Sequence, residues 1–381
     1  MRWLDALFLV IGILLLFIGL ATVVMALTYL ERKFLARVQT RLGPMHTGPF
    51  GLMQPVADAV KLVLKEDLIP AWANRFVFWM APMLVAVPAL MIWLAIPAGR
   101  DLVIYKIPDA TNFFELGLLY ILAISGLSTL GMVVAGWSSS NKYSAIGALR
   151  CAAQMVSYEV PLIMAVVGVA ILAGSVSLEH IADAQVPGTF GPPGTRWPHA
   201  IFAVVQPLGL VIFLIAGLAE IGRTPFDIHQ AESEVVSGPF AEYSSAHWAA
   251  FFLAEYMNTF AIGALVAILF LGGWHGPLLP GWLWFLIKTF FVVIVILWIR
   301  GTFPRLRVDQ LMAFSWKVLI PLSFVNIVVT AIVLYYGWPA WALTLLSGAI
   351  TVGAGYLIYQ QVSRPAKEAR AYFYQGQREV A

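Results

Sequence analysis

Residues 6–30 read ALFLVIGILLLFIGLATVVMALTYL, 25 positions without a charge. At ~1.5 Å of rise per residue such a helix covers roughly 37 Å, enough to cross a bilayer with some tilt. The run is longer than the apolar core of a signal peptide and lacks a small-residue cleavage site, so it reads as a retained span. The rest of the chain follows suit. Of 381 residues, 61% are hydrophobic and 11% charged, about half the usual charged share of a soluble domain. Such a chain has too little polar surface to cover a water-soluble fold, which makes it an all-α integral membrane protein.

Gly, Pro and charge clusters divide the sequence into about nine spans, near 5–30, 76–97, 115–136, 152–174, 199–219, 248–272, 282–300, 317–336 and 339–360. With the N-terminus outside, eighteen Lys and Arg fall on the cytoplasmic side and four (Arg2, Arg100, Lys106, Arg196) outside, with Lys288 inside a span. Residues 1–360 therefore form one membrane domain and 361–381 a cytoplasmic tail. The formal charge of +3 comes from dispersed basic residues and gives no footprint for nucleic acid. Cys151 is the single cysteine. One thiol completes neither a disulfide, a zinc site nor an iron–sulfur cluster, so it is expected to be a small packed residue and no metal is expected on this chain.

Chemistry concentrates in an acidic loop, 220–247. It carries Glu220, Asp227, Glu232, Glu234 and Glu242 against one Arg223, with His229 among them. Glu255 lies in the following apolar run and Glu159 beside Pro161 in an earlier one. Carboxylates at membrane depth are costly and mark proton or ion paths. The plainer reading, a solvated loop, is disfavoured by Phe226, Ile228, Val235, Val236 and Phe240, which want burial. For Glu159 the plainer reading is pairing with Arg150 or a Lys.

The first cytoplasmic loop, 31–75, holds turns at Gly43-Pro44 and Gly48-Pro49 and then Leu52, Val56, Val60 and Val63 at helical spacing. This predicts an amphipathic surface helix near 50–66, either a simple anchor or the roof of a lipid-level cavity. Arg300, Arg305, Arg307 and Asp309 cluster after the seventh span. Positive-inside anchoring accounts for most of that cluster, and docking of a soluble partner is the alternative.

These stretches also resemble a known family. ERK at 31–33, RLGP at 41–44, GPFG at 48–51, QPVADAVKL at 54–62 and KED at 65–67 are similar to the first loop of the complex I subunit 1 family, the membrane subunit of respiratory complex I (NADH–quinone oxidoreductase). The likeness continues through GWSSSNKY at 136–143, LRCAAQMVSYEVPL at 149–162, PFD at 225–227, AESE at 231–234, EYS at 242–244 and FLAEY at 252–256. It closes with FPRLRVDQLM at 303–312 and WKVL at 316–319, covering roughly residues 1–336.

The resemblance implies a heel subunit between a soluble redox arm and an ion-pumping membrane arm, in the cell inner (plasma) membrane. It implies a quinone chamber involving Glu31, Arg32, Arg41, Arg223 and Phe226. It also implies a proton path through Glu159, Glu220, Asp227, Glu232, Glu234, Glu242 and Glu255. No cofactor is implied on this chain alone: quinone is the substrate, and iron–sulfur clusters and flavin sit on partner subunits. Implied partners are the soluble iron–sulfur and quinone-site subunits, small membrane subunits leading to antiporter-like ones, and the lipid bilayer. The chain departs from the family pattern at His229-Gln230, where Pro-Glu is usual, and His229 is the implied substitute proton carrier. It departs again at Met45-His46-Thr47, where Asn-Arg-Val is common. Two alternatives stand beside this reading, the equivalent subunit of a membrane-bound hydrogenase and a stand-alone permease.

Overall fold

The computed structural model describes residues 3–99, 115–186, 201–228 and 236–379, with the side chains of 3–9 and 361–379 set aside. The expected His229, Glu232 and Glu234, and the Gln230 departure, lie outside the described residues. What is described is helical, with no strand among the described residues. Among the described residues eight helices are long and apolar enough to cross a membrane, and the expected fifth span holds a shorter apolar one.

Helix α1 (Trp3–Val38) runs past the expected end of the first span, because Glu31 is buried against basic partners rather than turned to solvent. Gly51, at φ 79°, closes the turn that follows: a Cβ there would sit 2.3 Å from the Pro44 carbonyl oxygen. Next comes α2 (Gln54–Leu64), the expected short amphipathic helix. Its Val56, Val60, Val63 and Leu64 are left uncovered by this chain. Arg32 on α1 holds Asp58 of α2 at 2.6 Å.

Helices α3 (Arg75–Ala95) and α4 (Gly117–Ser138) pack tightly, Gly131 giving α3 its close approach. Helix α5 (Lys142–Ala173) starts ten residues before the expected 152. Asn141 caps it, accepting from the Tyr143 backbone N–H at 3.0 Å, and so a stretch with Lys142 and Arg150 becomes helix rather than loop. Cys151 is buried here. A short helix, α6 (Leu178–Asp183), follows.

The fifth span is broken. α7 (Phe202–Val205) stops at Gln206 and α8 (Pro207–Ile221) begins afresh. Pro207 has no N–H to continue the ladder and forces the residue before it out of the helical region. The freed Val205 carbonyl accepts from Ser347 of the last helix at 3.3 Å, and fully buried Gln206 donates to Thr330 at 2.9 Å.

Helix α9 (Ser245–Phe270) is the most enclosed span, and α10 (Gly281–Thr302) packs on it. Lys288, a cation inside a span, donates to the carbonyls of Leu271, Gly273 and His275 at 2.7, 2.9 and 2.7 Å, satisfying the chain as it leaves α9. The eighth span is composite: α11 (Val308–Phe314), a π turn (Ser315–Leu319) and α12 (Ile320–Tyr335). The last helix, α13 (Ala340–Glu379), continues beyond the expected end of its span at 360.

Candidate functional site

Where α1, α8, α9 and α10 converge, four charged side chains from distant parts of the chain form a quartet, Glu31 and Arg223 buried and Glu255 and Arg300 partly so. Glu31 ends the apolar part of α1. Arg223 follows Gly222, whose left-handed conformation (φ 71°) terminates α8 and turns the chain inward. Glu255 and Tyr256 come from α9 and Arg300 from the last turn of α10. Arg223 Nη1 lies 3.3 Å from Glu31 Oε2, and its Nε lies 2.9 Å from Glu255 Oε1. Arg300 binds the other Glu31 oxygen, and the Tyr256 hydroxyl donates to Glu31 at 2.9 Å. The guanidinium also stacks 4.3 Å over the Tyr256 ring. Burial works against the charge on Arg223, but Glu255, Glu31 and Tyr256 outweigh it and push its pKa above the usual arginine value. Two carboxylates thus face two guanidiniums, and the quartet is formally neutral.

A second ion pair fastens the acidic loop. Asp227 accepts from Arg305 at 2.9 Å, and the Leu306 N–H donates to the Pro225 carbonyl at 3.0 Å. Further along, Glu242 accepts from Asn141 at 2.7 Å. Tyr243 stacks on Phe78 with ring centres 4.1 Å apart, its hydroxyl 3.0 Å from that of Ser138. Burial pushes the Tyr243 hydroxyl up to about 12, only partly offset by Ser138 and Ser139, so it stays a neutral donor. The segment after α2 is tied to the same place: Ser245 donates to the carbonyls of Leu62 and Lys65, and His247 meets Asp67 at 2.8 Å.

Glu159 and Glu220 stand apart. Neither forms an ion pair among the described residues. Glu159 lies deep within α5 rather than near its start, and its carboxylate faces Gly126 of α4, 3.1 Å from where a Cβ would be. Glu220, in the last turn of α8, is close enough for its charge to act on that of Glu159 and is in hydrogen-bond reach of Ser125. Gln154 sets their relative position. Its amide donates to the carbonyls of Ala219 at 2.6 Å and Phe226 at 2.7 Å, pinning the end of α8 to α5. The π turn braces α5 from the other side, with Ser315 donating to the Ser157 carbonyl at 2.7 Å and Tyr158 to that of Leu311 at 2.9 Å.

Two small cavities lie beside these acids. One, of about 40 Å³, is lined by Ser125, Ser128, Glu220, Asn258 and apolar neighbours from α3, α4, α5 and α9. The other, of about 30 Å³, is lined by Ser128, Glu220, Glu255 and Asn258 among others. Each has room for roughly two or three water molecules. Glu255 and Glu220 therefore line one cavity and Glu159 lies on the far side of Glu220, the first held by Arg223 and the other two without an ion-paired cation among the described residues.

Not every expected site residue joins this arrangement. Arg32 is occupied by Asp58 of α2, and Arg41 donates to Gln39 at 2.7 Å on the surface. Phe226 is buried against the Tyr158 ring, centres 5.5 Å apart. Of the basic cluster, Arg300 and Arg305 make the internal pairs above, while Arg307 and Asp309 are exposed. Gln154, Tyr256, Ser128 and Asn258 were not expected. Asn258 had a faint signal, since it is three residues past Glu255 and shares its side of the helix. Among the described residues no group of three or more His, Cys, Asp or Glu is arranged to hold a metal.

A family model described as NADH dehydrogenase matches residues 11–331. Among curated proteins, the chain is 48% identical over 317 residues to an H subunit (H 2) of the NADH-quinone oxidoreductase of Syntrophobacter fumaroxidans, covering 83% of this chain and 91% of that protein. It is 49% identical over 335 residues to the H subunit of the NADH-quinone oxidoreductase of Geobacillus kaustophilus, covering 86% and 94%. It is 45% identical over 309 residues to the corresponding H subunit of Dehalococcoides mccartyi, covering 81% and 82%.

Proposed function

The chain belongs to the NADH dehydrogenase family and is a membrane subunit of a multi-chain NADH–quinone oxidoreductase; from that premise we propose that it forms part of the quinone chamber and begins the proton path of the complex. The observation that carries this reading is the series Glu255, Glu220, Glu159, the first two lining one cavity, the first ion-paired and the other two without an ion pair among the described residues.

Quinone reaches its chamber laterally beside α1 and α9, under the exposed apolar residues of α2. Reduction of a quinone to a quinol takes two electrons and two protons, and the electrons come from iron–sulfur and flavin groups on partner subunits. The single buried Cys151 gives this chain no ligand set for such a cluster. What this chain supplies is charge in the right place. Glu31, Arg223 and Glu255 stand at the chamber end, where a change of charge on the bound substrate is felt in low-dielectric surroundings. A proton leaving the Glu255 carboxyl is replaced electrostatically by the neighbouring guanidinium of Arg223, and the proton moves toward Glu220 and Glu159. From there it passes to small membrane subunits leading to antiporter-like ones. The exposed Arg307 and Asp309 lie on the face that meets the soluble arm, in the cytoplasm, and the membrane is the plasma membrane.

The test is the assembled complex in liposomes. Glu159→Gln and Glu255→Gln are expected to cut quinone-linked proton pumping severely while NADH oxidation by a flavin-level acceptor persists. Wild-type pumping in both variants would remove these carboxylates from the path.

A further inference from the structure

Between Glu255 and Glu220 the two cavities share a wall made of Ser128, Glu220, Ile221 and Asn258. Three of those four side chains are polar, and two of them cannot carry a proton. Asn258 Oδ1 is buried without a hydrogen-bond partner among the described residues. A buried amide oxygen so placed is a site for water when other polar groups border the space beside it, and here Ser128, Glu220 and Glu255 do, within an otherwise apolar lining. Across the wall, the Ser128 hydroxyl already donates to the Ser125 carbonyl at 2.7 Å, so only its lone pairs remain for a neighbour. Both groups therefore present acceptors to the same small volume.

Resting on the proton path proposed above, we infer that Asn258 and Ser128 are positioning residues that hold two waters joining Glu255 to Glu220 through the cavity both acids line. Neither changes protonation state. Asn258 Oδ1 takes one hydrogen of the relaying water and Ser128 Oγ takes one from the water beside it, so the relaying water keeps a lone pair turned toward the incoming proton and its other hydrogen free to pass onward. The step balances simply. The protonated Glu255 carboxyl gives its proton to the relaying water, that water passes one of its own through its neighbour to the Glu220 carboxylate, and the negative charge moves from Glu220 to Glu255. There Arg223 Nε, 2.9 Å away, receives it. Asn258 lies one helical turn beyond Glu255 on α9, so the donor and the water's holder move as one body.

Three variants of the complex in liposomes test this, with protons pumped per NADH oxidised as the readout and flavin-level NADH oxidation as the assembly control. Asn258→Leu keeps the volume and removes the polar atoms; pumping is expected to fall at least five-fold. Asn258→Ser restores an acceptor and is expected to recover at least half the wild-type ratio. Ser128→Ala, on a different helix, is expected to slow pumping two- to three-fold and to raise the solvent deuterium isotope effect. If Asn258→Leu fails to assemble, Ser128→Ala decides: slowed pumping with a raised isotope effect supports the inference, and wild-type values overturn it. Equal loss in Asn258→Leu and Asn258→Ser also overturns it, because a merely structural asparagine is not rescued by a hydroxyl. Glu220→Gln, run alongside, separates the two levels. If it pumps normally the path itself fails; if it does not pump while Asn258→Leu does, only the water site fails.

Discussion

Two groups of carboxylates lie within this molecule and are treated in opposite ways. At the junction of α1, α9 and α10, Glu31 and Glu255 are matched by Arg223 and Arg300, with Tyr256 closing the contacts. Between α4, α5 and α8, Glu159 faces Gly126 and Glu220 faces Ser125, Ser128 and a cavity, with no ion-paired cation among the described residues. Matched charges in a poorly solvated place are fixed: separating them is expensive, and they hold the helices in one register. Unmatched carboxyls are free to change state, because no guanidinium has to be abandoned when a proton arrives. The first group is a fastening that also senses charge, and the second is a carrier.

That division predicts opposite failures. Arg223→Met strips the quartet of its centre, leaving Glu255 without its cation and the buried Glu31 with Arg300 and Tyr256 alone. About 3–5 kcal/mol of stability should be lost, seen as loss of assembled complex on native gels and a lowered melting midpoint. Gln154→Leu attacks the link between the groups. It removes two hydrogen bonds, leaving the Ala219 and Phe226 carbonyls only their backbone partners Gly222 and Ile228, at a cost of about 2 kcal/mol, and lets Glu220 drift from Glu159, so both melting and pumping should suffer. Ser347→Ala leaves the Val205 carbonyl bare at the break in the fifth span, and should lower stability by about 1 kcal/mol without touching pumping. Arg305→Gln loosens the more exposed pair with Asp227 and should change stability by about 0–1 kcal/mol, with weak salt dependence in the variant. A large effect of Arg305→Gln on melting, or none of Arg223→Met, would erase the distinction.

Much of the architecture was open to a reader of the sequence, because span length and charge-free composition are properties of contiguous residues. The run 6–30 and the polar breaks between spans need no tertiary information. Local rules that act through one residue were harder. Asn141 turns a basic stretch into the first turns of α5, and Pro207 divides a run that is apolar throughout. The acids themselves were legible one at a time, since a carboxylate in an apolar run stands out. Their partners were not. Arg223 was visible as the lone cation of the acidic loop, yet that it serves Glu31 and Glu255 depends on how α1 and α9 meet. The same holds for Gln154 and Asn258, amides that no charge pattern marks and that acquire meaning only from the carbonyls and cavities beside them. The composite eighth span, with its π turn against Ser157, is likewise a product of packing between distant segments.

The central claim is that an unpaired carboxyl at Glu220 carries the proton that a paired one at Glu255 releases. The most direct measurement is the number of protons translocated per NADH oxidised by the reconstituted complex carrying Glu220→Gln. The account predicts a ratio at or below a tenth of wild type in a complex that assembles and melts like the wild type. An unchanged ratio in that same intact complex would contradict it.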